Sequence, residues 1–194
     1  WRRCRPDWYD NQRLPGRIFL PFSAPNTPTQ RAIPVHTQLI HSIIMQITVL
    51  GSGSGGNCTC IVTKNTCVLV DLGFGWRSLS RRLQEAGLHN QQIDAVLLTH
   101  GHSDHTKGIA SFRSRSAAAI FANRGTQEEV AALGSMDGKE SFCSNSPFVI
   151  GDLEIEAFPV SHDAAEPVGF RFSAEGIDGA LATDLGELSP PVAA

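Results

Sequence analysis

The chain has 194 residues and a net charge of -3, with 41% apolar and 18% charged residues. This length and composition predict one domain with a buried core and exclude a collagen-like or wholly disordered chain. No apolar run reaches the roughly 18 residues of a bilayer span, and the acidic balance gives nucleic acid no general electrostatic attraction.

The first 44 residues differ in composition from the rest of the chain. Residues 1–45 carry six arginines against two aspartates, a local charge of +4, whereas the remainder carries -7. Six of the eleven prolines also lie in this segment, which has neither helical nor strand periodicity. We predict that residues 1–44 are an unstructured extension, or sequence upstream of a natural start at Met45, and that residues 45–194 form the domain. A flexible but genuine arm is the alternative.

Three short strands are predicted at the start of this domain, at residues 47–50, 58–63 and 67–70, where β-branched side chains alternate with turn residues. They should form a meander, with the glycine-rich turn 51–57 between the first two strands. Cys58 and Cys60 lie two apart on one strand face, where small buried apolar residues are expected. The chain has five cysteines and no C-x-x-C pair, which favours reduced thiols in the cytoplasm.

Helices alternate with strands along the rest of the domain. Apolar residues spaced three and four apart, followed by Gly87, predict a helix over 76–86. The further predicted elements are a strand at 95–98, a helix at 105–115, a strand at 119–121, a helix at 126–133 and strands at 148–150, 153–158, 168–172 and 180–183. This order indicates an α/β fold in which sheets are flanked by helices.

Three of the seven histidines fall within six residues, directly after the strand predicted at 95–98. Neutral imidazole binds zinc, iron or manganese, and a nearby carboxylate supplies negative charge. His100 and His102 lie two apart on an extended segment and point the same way, whereas Asp104 and His105 fall where the chain turns into a helix. The segment could therefore supply ligands to two adjacent metal ions. In the alternative interpretation, Asp104 is only a helix N-cap in a polar turn.

Two further potential ligands follow predicted strands. His162 comes after the strand at 153–158, and Asp184 ends the strand at 180–183. Taken alone, each is more typical of a surface turn. Beside the histidine segment, we expect both to lie at the same sheet edge as His100 and His102.

The histidine segment matches the H-x-H-x-D-H motif of the metallo-β-lactamase superfamily. The chain also resembles the WalJ (YycJ) type of metallo-hydrolase, through VLGSGSGGNC at 49–58, PVSHDAAEPVGF at 159–170 and ATDLG at 182–186. This resemblance covers about residues 45–187. It implies an αββα sandwich with a site for two divalent ions at one edge, zinc or alternatively manganese.

The resemblance also implies roles for individual residues. A first ion would be held by His100, His102 and His162 and a second by Asp104 and His105, with Asp184 bridging the two. Asp71 matches an early aspartate of the family and would support the ligands through hydrogen bonds, although a plain turn after a strand is the alternative.

Family members continue beyond the position of Asp184 and add a last histidine for the second ion, whereas this chain ends at Ala194 with no histidine after His162. We therefore expect an incomplete second half of the sandwich and an incomplete metal site. Apolar surface would then be uncovered, and the chain would be marginally stable.

The resemblance implies a 5′–3′ exonuclease that acts on duplex DNA ends through a metal-bound hydroxide, with Asp104 as the proton acceptor. A hydrolase of a small cyclic phosphodiester and an inactive metal-binding fragment are the alternatives. A dinucleotide-binding fold is disfavoured. The G-x-G-x-x-G pattern from Gly51 to Gly56 is followed by a predicted strand, whereas that fold needs a helix there.

Overall fold

The computed structural model describes residues 45–134 and 141–186. The extension predicted over 1–44 and the end of the chain at Ala194 lie outside these described residues. Of the helices in the described ranges, none combines the length and the apolar character that a bilayer crossing requires.

The first of two β-sheets has five strands in chain order, β1 (Met45–Gly51), β2 (Cys58–Thr63), β3 (Cys67–Val70), β4 (Ala95–Leu97) and β5 (Ala119–Phe121). Strands β1 to β3 are antiparallel, which confirms the predicted meander, whereas β3, β4 and β5 run parallel. The parallel strands therefore end at one edge of this sheet.

The second sheet is antiparallel and contains β6 (Phe148–Ile150), β7 (Leu153–Pro159), β8 (Val168–Ala174) and β9 (Ile177–Leu181). The last strand was predicted at 180–183, and this prediction was wrong by about three residues. Ala174 pairs with Ile177 across a two-residue turn, Glu175 and Gly176, in which both residues have positive φ. Because such a turn matches the twist of antiparallel strands, it sets the register and starts β9 at Ile177.

Alternating side chains of the first sheet build two cores. In β3, Cys67 and Leu69 face a core beneath the helices, whereas Val68 and Val70 face a second core between the sheets. This alternation follows from the two-residue period of a strand. The second core includes Phe170, and the described residues thus form a helix layer, a sheet and a second sheet.

Cysteines Cys58 and Cys60 are buried in the core beneath the helices as free thiols, as the sequence predicted. Ile47, Val49 and Ile177 are the large apolar side chains exposed on β1 and β9. The outward face of the second sheet carries the charged pair Glu156 and Arg171, whose side chains lie 3.4 Å apart.

The helix α1 (Trp76–Glu85) lies where it was predicted, but the next predicted helix does not form as one element. Instead of one helix over 105–115, the chain forms α2 (Ser103–Thr106) and α3 (Ile109–Arg113). Gly108 donates its amide proton to the Leu72 carbonyl at 2.8 Å, and a Cβ at Gly108 would lie 2.0 Å from the Phe74 carbonyl oxygen. The close approach of these two backbone segments therefore interrupts the helix.

The last predicted helix, at 126–133, is also shorter than expected. It consists of α4 (Arg124–Glu129) and a 3-10 turn (Ala131–Leu133). The Asn123 side chain accepts a hydrogen bond from the Thr126 amide at 2.9 Å, and this N-cap starts the helix two residues before the predicted position.

Asp152 connects the two sheets at the turn between β6 and β7. Its carboxylate accepts hydrogen bonds from the hydroxyl groups of Thr63, at the end of β2, and Thr66, just before β3. Partial burial alone would raise the pKa of Asp152, but the two hydroxyl bonds hold it below its usual value.

Candidate metal centre

The potential ligands come from loops that converge at one end of the sandwich. Asp71 follows β3, and the histidine segment from His100 follows β4, at the carboxyl ends of parallel strands. His162 follows β7 and Asp184 follows β9, which run in the same direction on either side of β8. The two sheets are joined here, because the amide of Val168 at the start of β8 donates to the Thr99 carbonyl at 3.0 Å.

Three histidines form the first compact group. One ring nitrogen from each of His100, His102 and His162 lies within 4.8 Å of the other two. His162 Nε2 is 3.1 Å from His102 Nδ1. His100 Nε2 is buried and has no hydrogen-bond partner among the described residues. Such a buried orphan nitrogen would be costly, and a metal ion among the three rings would satisfy it.

A second compact group shares His100 with the first and adds His105 and Asp184. Asp184 Oδ2 is 2.7 Å from His105 Nε2 and 3.6 Å from His100 Nε2. Asp104 lies beside this group, with its Oδ2 3.8 Å from His105 Nε2 and its side chain 30% exposed. Asp184 thus lies in the group of His105 and near His100, the residue that the two groups share, whereas Asp104 lies at the rim.

Asp71 orients the His105 ring through a hydrogen bond to its Nδ1 atom. The Asp71 side chain is 1% exposed, and its Oδ2 accepts a hydrogen bond from His105 Nδ1 at 2.7 Å. Thr99 donates to the same carboxylate from its amide at 2.9 Å and from its hydroxyl group. Because Nδ1 carries the proton toward Asp71, His105 presents Nε2 to the site. The plain-turn interpretation of Asp71 does not explain these contacts.

The pKa values of the buried groups follow from burial and from their neighbours. Burial, and after it the neighbouring imidazoles, lower the pKa of His100 to about 4. His100 is therefore neutral near pH 7, the form that binds a metal. Burial opposes protonation of His105, but Asp71 and then Asp184 outweigh it and raise its pKa. Burial raises the pKa of Asp71, against the hydrogen bonds from His105 and Thr99.

Asn57 touches the site and was missed by the sequence analysis. Its Oδ1 accepts from the Gly53 amide at 2.9 Å, and its Nδ2 group donates to the Gly53 carbonyl at 3.3 Å. Nδ2 donates to Asp104 Oδ2 at 3.2 Å and lies 2.9 Å from His105 Nε2. An amide residue that closes a glycine-rich turn was the available signal in the sequence.

The helix α4 holds the loop that carries His162. The sequence analysis missed this role of α4. Glu166 accepts a hydrogen bond from the Gly125 amide at 3.0 Å, and Glu129 accepts one from the Ala165 amide at 3.1 Å. Asn123 adds a bond from its side chain to the Glu166 carbonyl at 2.6 Å. The position of His162 relative to His102 therefore depends on α4.

Solved structures with the metallo-β-lactamase fold are similar to this chain. Zn²⁺-bound PqqB from Methylobacterium extorquens matches with a TM-score of 0.61 and 16% identity, over 75% of this chain and 67% of that one. A metallo-β-lactamase from Cronobacter sakazakii matches with a TM-score of 0.60 and 16% identity, over 75% and 57%. The predicted fold class is thus confirmed, and the fold together with the histidine groups implies divalent metal ions.

Residues 66–194 match the model of the beta-lactamase superfamily domain, and the chain belongs to this family. It is 34% identical over 150 residues to exodeoxyribonuclease WalJ from Streptococcus pneumoniae, covering 75% of this chain. It is also 34% identical over 148 residues to exodeoxyribonuclease YycJ from Bacillus anthracis, again covering 75% of this chain. The resemblance to WalJ-type proteins is confirmed. The chain spans 56% of the length of each of these relatives.

Proposed function

We propose that this chain contains the metal-binding part of a phosphodiesterase that acts on DNA, a 5′–3′ exonuclease for duplex ends. One observation carries the proposal. Two compact donor groups share His100, whose Nε2 is buried with no hydrogen-bond partner among the described residues. The relatives named exodeoxyribonucleases support DNA as the substrate.

The donor set fits two divalent ions, with zinc proposed first because imidazole nitrogens predominate. His100, His102 and His162 would hold one ion. His105 would hold the other together with Asp104, and Asp184 would lie between the two. Ions bound there would lower the pKa of a water molecule to about 7 and neutralise charge on the phosphate.

Asp104 is the proposed proton acceptor for the attacking water. Its carboxylate is exposed enough for water to reach it and lies 3.8 Å from His105 Nε2. Asn57 donates to Asp104 Oδ2, which leaves the other carboxylate oxygen available to the reacting water. Asp71 keeps His105 in the tautomer that presents Nε2.

The test compares three substrates with the chain loaded in turn with zinc and manganese: end-labelled duplex DNA, a cyclic phosphodiester and nitrocefin. We expect metal-dependent release of nucleotides from the duplex. His102→Ala should reduce the rate by at least about a hundredfold, because it removes a ligand. His89→Ala is the matched control, since His89 is exposed in a turn after α1.

Cleavage of the cyclic phosphodiester alone would reassign the substrate. Stoichiometric metal binding without hydrolysis of any of the three substrates would reject the enzyme assignment and leave a metal-binding chain.

A further inference from the structure

We propose that Lys107 and the turn residues 52–55 form a subsite for a phosphate group of the nucleic-acid backbone, beside the metal centre. This phosphate subsite rests on the proposed function and specifies how the substrate would be held. It would bind a phosphate next to the one that is cleaved.

Lys107 lies on the same side of α2 as Asp104. The two residues are three apart, and Lys107 keeps helical backbone angles, φ -61° and ψ -16°, at the end of the helix. Side chains three apart on a helix are neighbours. The exposed Lys107 side chain extends over the glycine-rich turn, where Nζ donates to the Gly55 carbonyl at 3.0 Å.

The turn itself is fixed to the metal centre through Asn57. The Asn57 amide donates to the Asp104 carbonyl at 2.8 Å, and the Asn57 side chain accepts from the Gly53 amide. Gly55 is two residues from Asn57 and therefore lies within about 7 Å of it. This short reach suits a phosphate adjacent to the scissile one.

The tip of the turn has unused donors and open space. Among the described residues, the amides of Ser54 and Gly55 donate to no protein acceptor. Ser52 and Ser54 are exposed, and a Cβ added at Gly53 or Gly55 would meet no atom within 4 Å. A phosphate could therefore approach the backbone closely, and amide groups beside an ammonium group are suitable donors for it.

The charge around the site favours approach from this side. On the opposite side, near α4 and the His162 loop, the exposed groups Glu129 and Asp163 are acidic. Arg124 on α4 is already paired with Glu128 at 2.7 Å. A polyanion is therefore repelled from the α4 side and attracted to Lys107.

The experiment measures binding rather than turnover. Fluorescence anisotropy would follow a short blunt DNA duplex titrated with the zinc-loaded chain on ice, at salt concentrations of about 20 to 200 mM. Gel electrophoresis would check that the duplex stays intact. We expect Lys107→Gln, which keeps a donor for the Gly55 carbonyl but removes the charge, to lower the slope of log affinity against log salt by about one.

Two controls separate charge from structure. Lys107→Arg keeps the charge and should keep the slope. Lys64→Gln should also leave it unchanged, because Lys64 is an exposed lysine in the turn between β2 and β3, away from the site. The proposal is overturned if Lys107→Gln keeps the wild-type slope, if either control lowers it equally, or if the wild-type chain does not bind the duplex.

These outcomes are independent of the cleavage assay. A reduced slope for Lys107→Gln in a chain that cleaves no DNA would support the subsite and reject the exonuclease. An unchanged slope in a chain that does cleave DNA would reject the subsite alone.

Discussion

Replacing Asp71 by Asn should weaken the ion held through His105 while the fold is kept. Thr99 donates to Asp71 Oδ1 from its amide at 2.9 Å, so the oxygen of an Asn would stay with Thr99. The Asn amide group would then replace Oδ2 opposite His105 Nδ1, which now lies 2.7 Å from that oxygen. Nδ1 would have to accept a hydrogen bond, and the imidazole proton would move to Nε2 and block metal binding.

The backbone tolerates this change. Asp71 has a φ of 64°, a region that Asn adopts more readily than most residues. Losing a hydrogen-bond partner behind a metal-binding histidine costs about 10- to 100-fold in metal affinity, or about 1.4 to 2.7 kcal/mol.

Two measurements check this prediction. Zinc titration calorimetry should show one weakened site in Asp71→Asn, and nitrogen NMR of the histidine rings should show the change of tautomer in the metal-free chain. Asp178→Asn, an exposed position on β9, is the matched control. Wild-type zinc affinity together with an unchanged His105 tautomer would refute the reasoning.

Three other predictions concern stability. Gly108→Ala should lower the free energy of unfolding by about 2 to 4 kcal/mol, because its Cβ would overlap the Phe74 carbonyl. Gly55→Ala, the control, should change it by less than about 0.5 kcal/mol. Similar urea midpoints for the two variants would contradict this prediction. The lowered pKa of His100 means that its stability contribution is full above about pH 6.5 and is lost toward pH 4. The metal-free wild type should therefore lose more thermal stability over that range than His100→Asn, and equal losses would argue against it. Asp152→Asn should lower the melting temperature at neutral pH. Because the pKa of Asp152 is lowered, the difference from wild type should shrink below about pH 4, and a constant difference would count against the hydroxyl bonds as its cause.

Local sequence patterns were sufficient for most strands and for the type of metal ligand. β2 and β3 were predicted with their observed limits because their β-branched residues lie between clear turn residues. The imidazole and carboxylate groups of the segment 100–105 predicted a metal site, because ligand chemistry belongs to the side chains themselves.

Contacts between distant segments decided what the sequence analysis missed. The helix predicted at 105–115 is interrupted because Gly108 packs on the backbone of residues 72–74, and no local pattern encodes that approach. Asn57 contacts Asp104, 47 positions further along the chain, so its role arises only after the turn and α2 pack together.

The sequence by itself determined where most strands form, which side-chain types are potential metal ligands and which family the chain belongs to. The tertiary structure alone decided that His100 belongs to both donor groups, that Asp184 joins His105 in the second and that Asp104 lies at the rim. The physical reason is that secondary structure and ligand chemistry depend on residues a few positions apart. The distances between ligands instead depend on how two sheets pack and on where the loops that leave them meet.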